Sequence, residues 1–158
     1  MDTTKPLSVA ISALIQNSKI LLIKRIKGDY MGFLGLPGGK VELNEHISEA
    51  AIREIFEESK ITSTFDEHLG IVSELLVENN KVQKHFILHI CKLTPTSTEI
   101  LEDKEGQLKW YDLNELEKLN IIPSDYEIIK NLVLKKEKNY FNCISEKEGD
   151  NYILRKFI

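Results

Sequence analysis

The sequence predicts an α/β fold in which a mixed β-sheet carries helices on both faces. Three observations predict it. Short β-prone runs recur along the chain, separated by turns rich in Asn, Ser and Gly. One amphipathic helix falls early, over Ser48 to Ser59, and a second begins late, at Pro123. Strands that alternate with helices in this way are covered on both sides. At 158 residues, 42% hydrophobic and 29% charged, the chain is read as one domain, 1–158, with a real core.

Leu7 to Ile15 and Lys19 to Arg25 read as strands joined by a hairpin at Gln16-Asn17-Ser18. The apolar run Ile20-Leu21-Leu22-Ile23 marks the second as central. Lys24 and Arg25, at its end, could meet a phosphate or simply be solvated. The segment Lys27 to Pro37 is a glycine-punctuated loop in which Tyr30 and Phe33 either stack on a base or plug the loop from beneath.

Gly38 and Gly39 then open a turn and a short extended piece before the first helix. At about 100° per residue, Glu54, Glu57 and Glu58 share one sector of that helix, while Ser48, Ala51, Ile52, Ile55, Phe56 and Ser59 form the expected core stripe. Like charges three and four residues apart repel by a few tenths of a kcal/mol per pair. Converging carboxylates are what a hard divalent cation, Mg²⁺ or Mn²⁺, requires.

The run Gly39, Glu45, Arg53-Glu54-Ile55-Phe56-Glu57-Glu58 and Ile61 resembles the signature of the Nudix hydrolases, G-x5-E-x7-R-E-U-x-E-E-x-G-U, where U is bulky and aliphatic. Eight of nine defined positions match over 23 residues. Lys60 replaces the second glycine, a change in how the helix ends rather than in chemistry. The resemblance implies a Nudix-type α/β/α sandwich and metal-dependent hydrolysis of a nucleoside diphosphate linked to another group. It implies Glu57 and Glu58 as metal ligands, with the Gly38 carbonyl and Glu105 as additions. Glu54 would bind a second ion or accept the proton of the attacking water. Arg53 and Glu45 would hold loop and helix together, with Gly39 as structural support. Arg25, Tyr30, Phe33 and Lys40 are the expected substrate contacts.

Beyond this helix, Thr62 to Asp66 is read as a polar connection, and Leu69 to Glu78 and Val82 to Leu93 as a hairpin about Asn79-Asn80-Lys81. His85 and His89 share one face of the second strand, as a metal pair or as ordinary sheet-face residues. Glu105-Gly106-Gln107-Leu108-Lys109-Trp110 resembles the family's late strand. Glu105 is the first choice for its acid, with Glu102 and Asp103 as substitutes. Pro123-Ser124-Asp125 reads as a helix start with Ser or Asp as cap. Tyr140 to Ser145 and Tyr152 to Phe157 form a last hairpin, outside the resemblance.

Composition limits the partners. A net charge of −4 argues against adhesion to DNA or an anionic membrane, so a phosphate-bearing ligand needs a metal for much of its attraction. Cys91 and Cys143 are read as buried free thiols. The N-terminus has no secretory pattern, which leaves a cytoplasmic location as the expectation. A homodimer is compatible with the sequence but not specified by it. By elimination, no proline or tyrosine follows the signature as in some ADP-ribose and dinucleoside-polyphosphate relatives. That points to a nucleoside triphosphate, plain or oxidised, giving a monophosphate and pyrophosphate. The alternatives are ADP-ribose or a sugar nucleotide as substrate, or a nucleotide-sensing module that does not cut.

Overall fold

The computed structural model describes residues 4–101 and 106–158. Strands β1 (Leu7–Gln16) and β2 (Lys19–Arg25) are followed by the short β3 (Leu34–Gly35) and β4 (Gly38–Lys40), then helix α1 (Ile47–Ser59). The long hairpin of β5 (Ser63–Glu78) and β6 (Lys81–Pro95) comes next, then β7 (Gly106–Asp112) and a 3₁₀ helix (Leu113–Lys118). Helix α2 (Pro123–Ile128) runs on into a π-helical turn (Ile129–Lys135), and β8 (Tyr140–Glu148) and β9 (Asn151–Phe157) close the chain.

The strands form one curled mixed sheet in the order β3-β2-β1-β6-β5-β8-β9, with β4 on β1 and β7 on β2. β1 runs parallel to β6, and β5 parallel to β8. Both tight turns foreseen at Asn17-Ser18 and Asn79-Asn80 have two consecutive left-handed residues. That backbone matches the twist of the strands it joins.

The period-two alternation of the strands divides the core. Ala10, Leu14, Leu21, Ile23, Cys91 and Leu93 pack against Ala50, Ala51 and Ile55 of α1. Their neighbours Ala13, Ile20, Leu22, Leu88 and Ile90 face the other way, against Ile128, Ile129 and Leu132 of α2 and its extension. Each strand therefore feeds two layers, giving the α/β/α sandwich. Among the described residues, no helix is long and apolar enough to cross a membrane.

Three local expectations are corrected, and a fourth is not tested. The stretch read as a polar connection is mostly strand, because β5 begins at Ser63 and continues through bulges near Phe65 and His68. Bulges let exposed polar residues join the ladder while the strand bends. The inner face of α1 is Ala50, Ala51, Ile55, Glu58 and Ser59; Phe56 is 44% exposed and Glu58 only 4%. The helix is rolled so that its acidic edge, not Phe56, meets the sheet. Neither Ser124 nor Asp125 caps α2; Ile122 is the cap residue and both polar side chains are buried. Finally, Glu102, Asp103 and Glu105, the acids expected before β7, lie outside the described residues.

Candidate active site

The site forms where β4 passes between β1 and α1. A Cβ on Gly38 would collide with the Ala10 carbonyl, and one on Gly39 with the Glu54 carboxylate. Only glycine lets β4 lie this close to its neighbours, so the turn and the acid are built for each other. Arg53 ties them together. Its Nε and Nη2 donate to the two Glu45 oxygens at 2.9 and 2.6 Å. Nη2 also donates to the Lys40 carbonyl at 3.1 Å, and Nη1 to Glu54 at 2.8 Å and Glu57 at 3.1 Å. Glu45 in turn accepts the Glu42 backbone N–H at 2.8 Å. The Arg53 hydrogen bonds hold the Glu45 carboxyl down to about 2, and the same contacts raise the Arg53 guanidinium further above its ordinary range. A two-pronged guanidinium–carboxylate pair fixes geometry as well as charge.

Glu58 points inward from α1 to line a cavity of about 310 Å³, together with Gly38, Gly39 and Lys40. That is the low end of the range for small-molecule sites. Four cations border it: Arg25, Lys27, Lys40 and Lys84. Arg25 Nε donates to the Asp29 carbonyl at 2.8 Å, and Lys84 pairs with the Asp29 carboxylate. Glu57, with its side chain 58% exposed, stays at the solvent edge.

Two buried acids in the cavity wall were missed in the sequence. Asp125 is 9% exposed; burial is the main cause that pushes it up to about 7, and Glu74 adds to this while Arg25 opposes it. Its Oδ2 accepts the Leu36 N–H at 2.8 Å. Glu74, 4% exposed, is also raised, chiefly by burial, and accepts from Ser145 at 3.4 Å and from the Cys143 thiol at 3.6 Å. The signal for Glu74 was its parity: it shares an inward-facing row with Val72 and Leu76 on β5. Asp125 gave no such signal, because Pro-Ser-Asp is also how helices begin.

The two aromatic candidates are placed by packing. The Tyr30 ring lies on Tyr152 with centroids 4.2 Å apart, and Phe33 meets Tyr152 edge-on at 5.7 Å. Tyr30 still borders the cavity, whereas Phe33 is not among its lining residues. His85 bonds Ser73 and His89 bonds His68, at 2.9 and 3.1 Å. Among the described residues, no three His, Cys, Asp or Glu side chains are gathered to hold an ion, whether around these histidines or on α1. On α1 the Arg53 guanidinium sits between Glu54 and Glu57. The donors themselves suit a hard divalent cation: carboxylate oxygens, one carboxylate already buried at a cavity wall that Gly38 and Gly39 also line.

Comparison with known proteins gives the family and the fold. The NUDIX domain family model matches residues 6–132. An ADP-ribose pyrophosphatase of Methanocaldococcus jannaschii is 34% identical over 114 residues, 71% of this chain and 66% of that protein. The chain thus spans just under two thirds of that relative's length. A MutT protein from Bacillus halodurans superposes with a TM-score of 0.75 at 26% identity, over 94% of this chain and 97% of that one. A MutT NUDIX hydrolase from Burkholderia pseudomallei gives 0.68 at 27% identity, over 80% and 97%. With the family model matching residues 6–132 and solved members sharing the curled sheet, the chain belongs to the Nudix hydrolase family.

Proposed function

We propose that the protein hydrolyses a phosphoanhydride bond in a nucleoside diphosphate linked to a further group, with divalent ions held by Glu57, Glu58, Glu54 and the Gly38 carbonyl. The observation that carries this reading is the buried Glu58 at the wall of a cavity that four cationic side chains border. A buried carboxylate and several cationic side chains on one cavity are what a metal-bound polyphosphate needs. When bound, the ion neutralises phosphate charge and polarises phosphorus. The chain's own residues do the rest. Arg53 locks Glu45 and the Lys40 carbonyl so that the turn cannot drift from the helix. Glu54, laid against Gly39, either holds the second of these ions or, in its place, takes the proton of the attacking water. Arg25, Lys27, Lys40 and Lys84 orient the phosphates. Glu57 is held by one 3.1 Å contact at the solvent edge, so it can turn to a ligand at little cost.

The name of the archaeal relative favours ADP-ribose over the triphosphate suggested by elimination. A hydrolysis screen over nucleoside triphosphates, ADP-ribose, sugar nucleotides and dinucleoside polyphosphates with Mg²⁺ or Mn²⁺ tests the reading. Glu57→Gln and Glu58→Gln should each lower turnover by roughly two to four orders of magnitude with the fold intact. Near-wild-type rates in both would remove these carboxylates from the reaction.

A further inference from the structure

The matched family region ends at residue 132, yet the hairpin of β8 and β9 packs behind the cavity wall, against the lining residues Glu74 and Tyr30. β8 lies parallel to β5 over residues 71–78, which brings Cys143 and Ser145 onto the Glu74 carboxyl at 3.6 and 3.4 Å. β9 contributes Tyr152, 9% exposed. Its hydroxyl accepts the Tyr30 backbone N–H at 2.9 Å while its ring carries those of Tyr30 and Phe33. Tyr30 sits in a left-handed conformation, φ 62, between Gly28 and Gly32, both also at positive φ. A bulky residue adopts that backbone only where its surroundings fix it. The loop it belongs to carries Lys27 and Asp29, and Asp29 holds both Arg25 and Lys84 at the cavity edge. The Tyr30 hydroxyl is itself buried, close to Ser145 of β8 and Glu74 of β5.

We infer that the C-terminal hairpin is a substrate-selecting part of the site, in which Tyr152 is a positioning residue for the 26–33 loop and β8 presents Glu74 to the ring-bearing end of the substrate. This rests on the proposed hydrolase reading. Glu74, Asp125 and Tyr30 put polar side chains on a cavity wall beside the apolar side chains of Ile122, Phe86 and Leu88. A flat heterocycle with polar edges, a nucleobase, suits such a wall. Helix α1 packs mainly on β1, β4, β5 and β6, and the hairpin on β5 and α2, so the hairpin's contribution falls on binding and not on the chemical step.

The test compares wild type, Tyr152→Phe and Tyr152→Ala on ATP, GTP and ADP-ribose with Mn²⁺, measuring kcat and KM separately. Equilibrium binding of AMP and GMP and thermal midpoints are measured in parallel. Tyr152→Phe keeps the ring and strands the Tyr30 N–H; Tyr152→Ala removes both. We expect KM on the best substrate to rise about threefold in the first and tenfold or more in the second, with kcat within about twofold. Loss of kcat with unchanged KM would overturn the inference, as would KM unchanged in Tyr152→Phe should Tyr152→Ala fail to fold. If wild type cleaves nothing but binds AMP or GMP, and Tyr152→Phe weakens that binding, the hydrolase reading fails while the hairpin's role stands.

Discussion

At the scale of single residues, two charges decide how the site behaves. Arg53 uses all three guanidinium nitrogens on four partners, three carboxylates and a backbone carbonyl. A lysine has the charge but not the planar fork. Arg53→Lys should therefore lower turnover by roughly tenfold to a hundredfold, because the Glu45 and Lys40 anchors cannot both be kept. Its thermal midpoint should fall by several degrees, and a variant with wild-type rate and midpoint would show the fork to be dispensable. Asp125 acts in the opposite sense. Its folded-state value near 7 lies well above the ordinary 3.8, so the folded state holds the proton more tightly than the unfolded chain. The stability this supplies is complete below about pH 4 and is lost as pH rises through about 7. Glu74, raised in the same direction, adds to the trend, while Arg25 opposes it. Asp125→Asn keeps an oxygen for the Leu36 N–H but cannot titrate. Denaturant midpoints between pH 4 and 8 should fall less steeply in this variant than in wild type, by a difference of a few kcal/mol at most. Parallel curves would mean that Asp125 does not change its protonation in that range.

At the scale of elements, helix α1 shows how a missing glycine is accommodated. Lys60 takes φ 64 at the C-cap, its N–H returns to the Phe56 carbonyl at 2.8 Å, and its ammonium lies 4.8 Å from the Phe56 ring centroid. The left-handed backbone costs a residue with a Cβ about 1 kcal/mol, and an exposed cation–π contact returns about half to all of that. This explains why Phe56 is content at the surface, where the sequence pattern had placed it in the core. Lys60→Gly should match or slightly exceed wild-type stability. Lys60→Ala, with the strain kept and the ring contact gone, should be about 1 kcal/mol less stable than Lys60→Gly in urea melts. Equal midpoints for the two would mean that the helix end relaxes out of the left-handed conformation. Catalytic parameters should not move in either, since the cap lies beyond Glu58.

For the molecule as a whole, what was readable in the chain follows from which interactions are local. The hairpins at Asn17-Ser18 and Asn79-Asn80 and the apolar strand Ile20 to Ile23 are set by neighbours in sequence and stand where they were expected, whereas the roll of α1 that buries Glu58 is set by packing on the sheet. The family's spacing located Gly39, Glu45 and Arg53, and the sandwich followed from the order of strands and helices. What escaped notice depends on contacts between distant segments. Asp125 meets Leu36, Tyr152 meets Tyr30, and Glu74 meets β8, pairs 89, 122 and about 70 residues apart. No pattern within a window of ten or twenty residues encodes such meetings. On the proposed reading the same long-range closure would couple ion binding to stability, because β4, which carries Gly38, and α1, which carries Glu57 and Glu58, are brought side by side only in the folded chain. Mg²⁺ or Mn²⁺ at a hundred times its dissociation constant should then stabilise the protein by about 2.7 kcal/mol. For a chain of this size that is a rise of roughly 5–10 °C in thermal midpoint. Glu58→Gln should abolish most of the rise and Glu57→Gln part of it, since Glu57 stands at the solvent edge and Glu58 inside. A full rise in Glu58→Gln would put the ion elsewhere on the molecule.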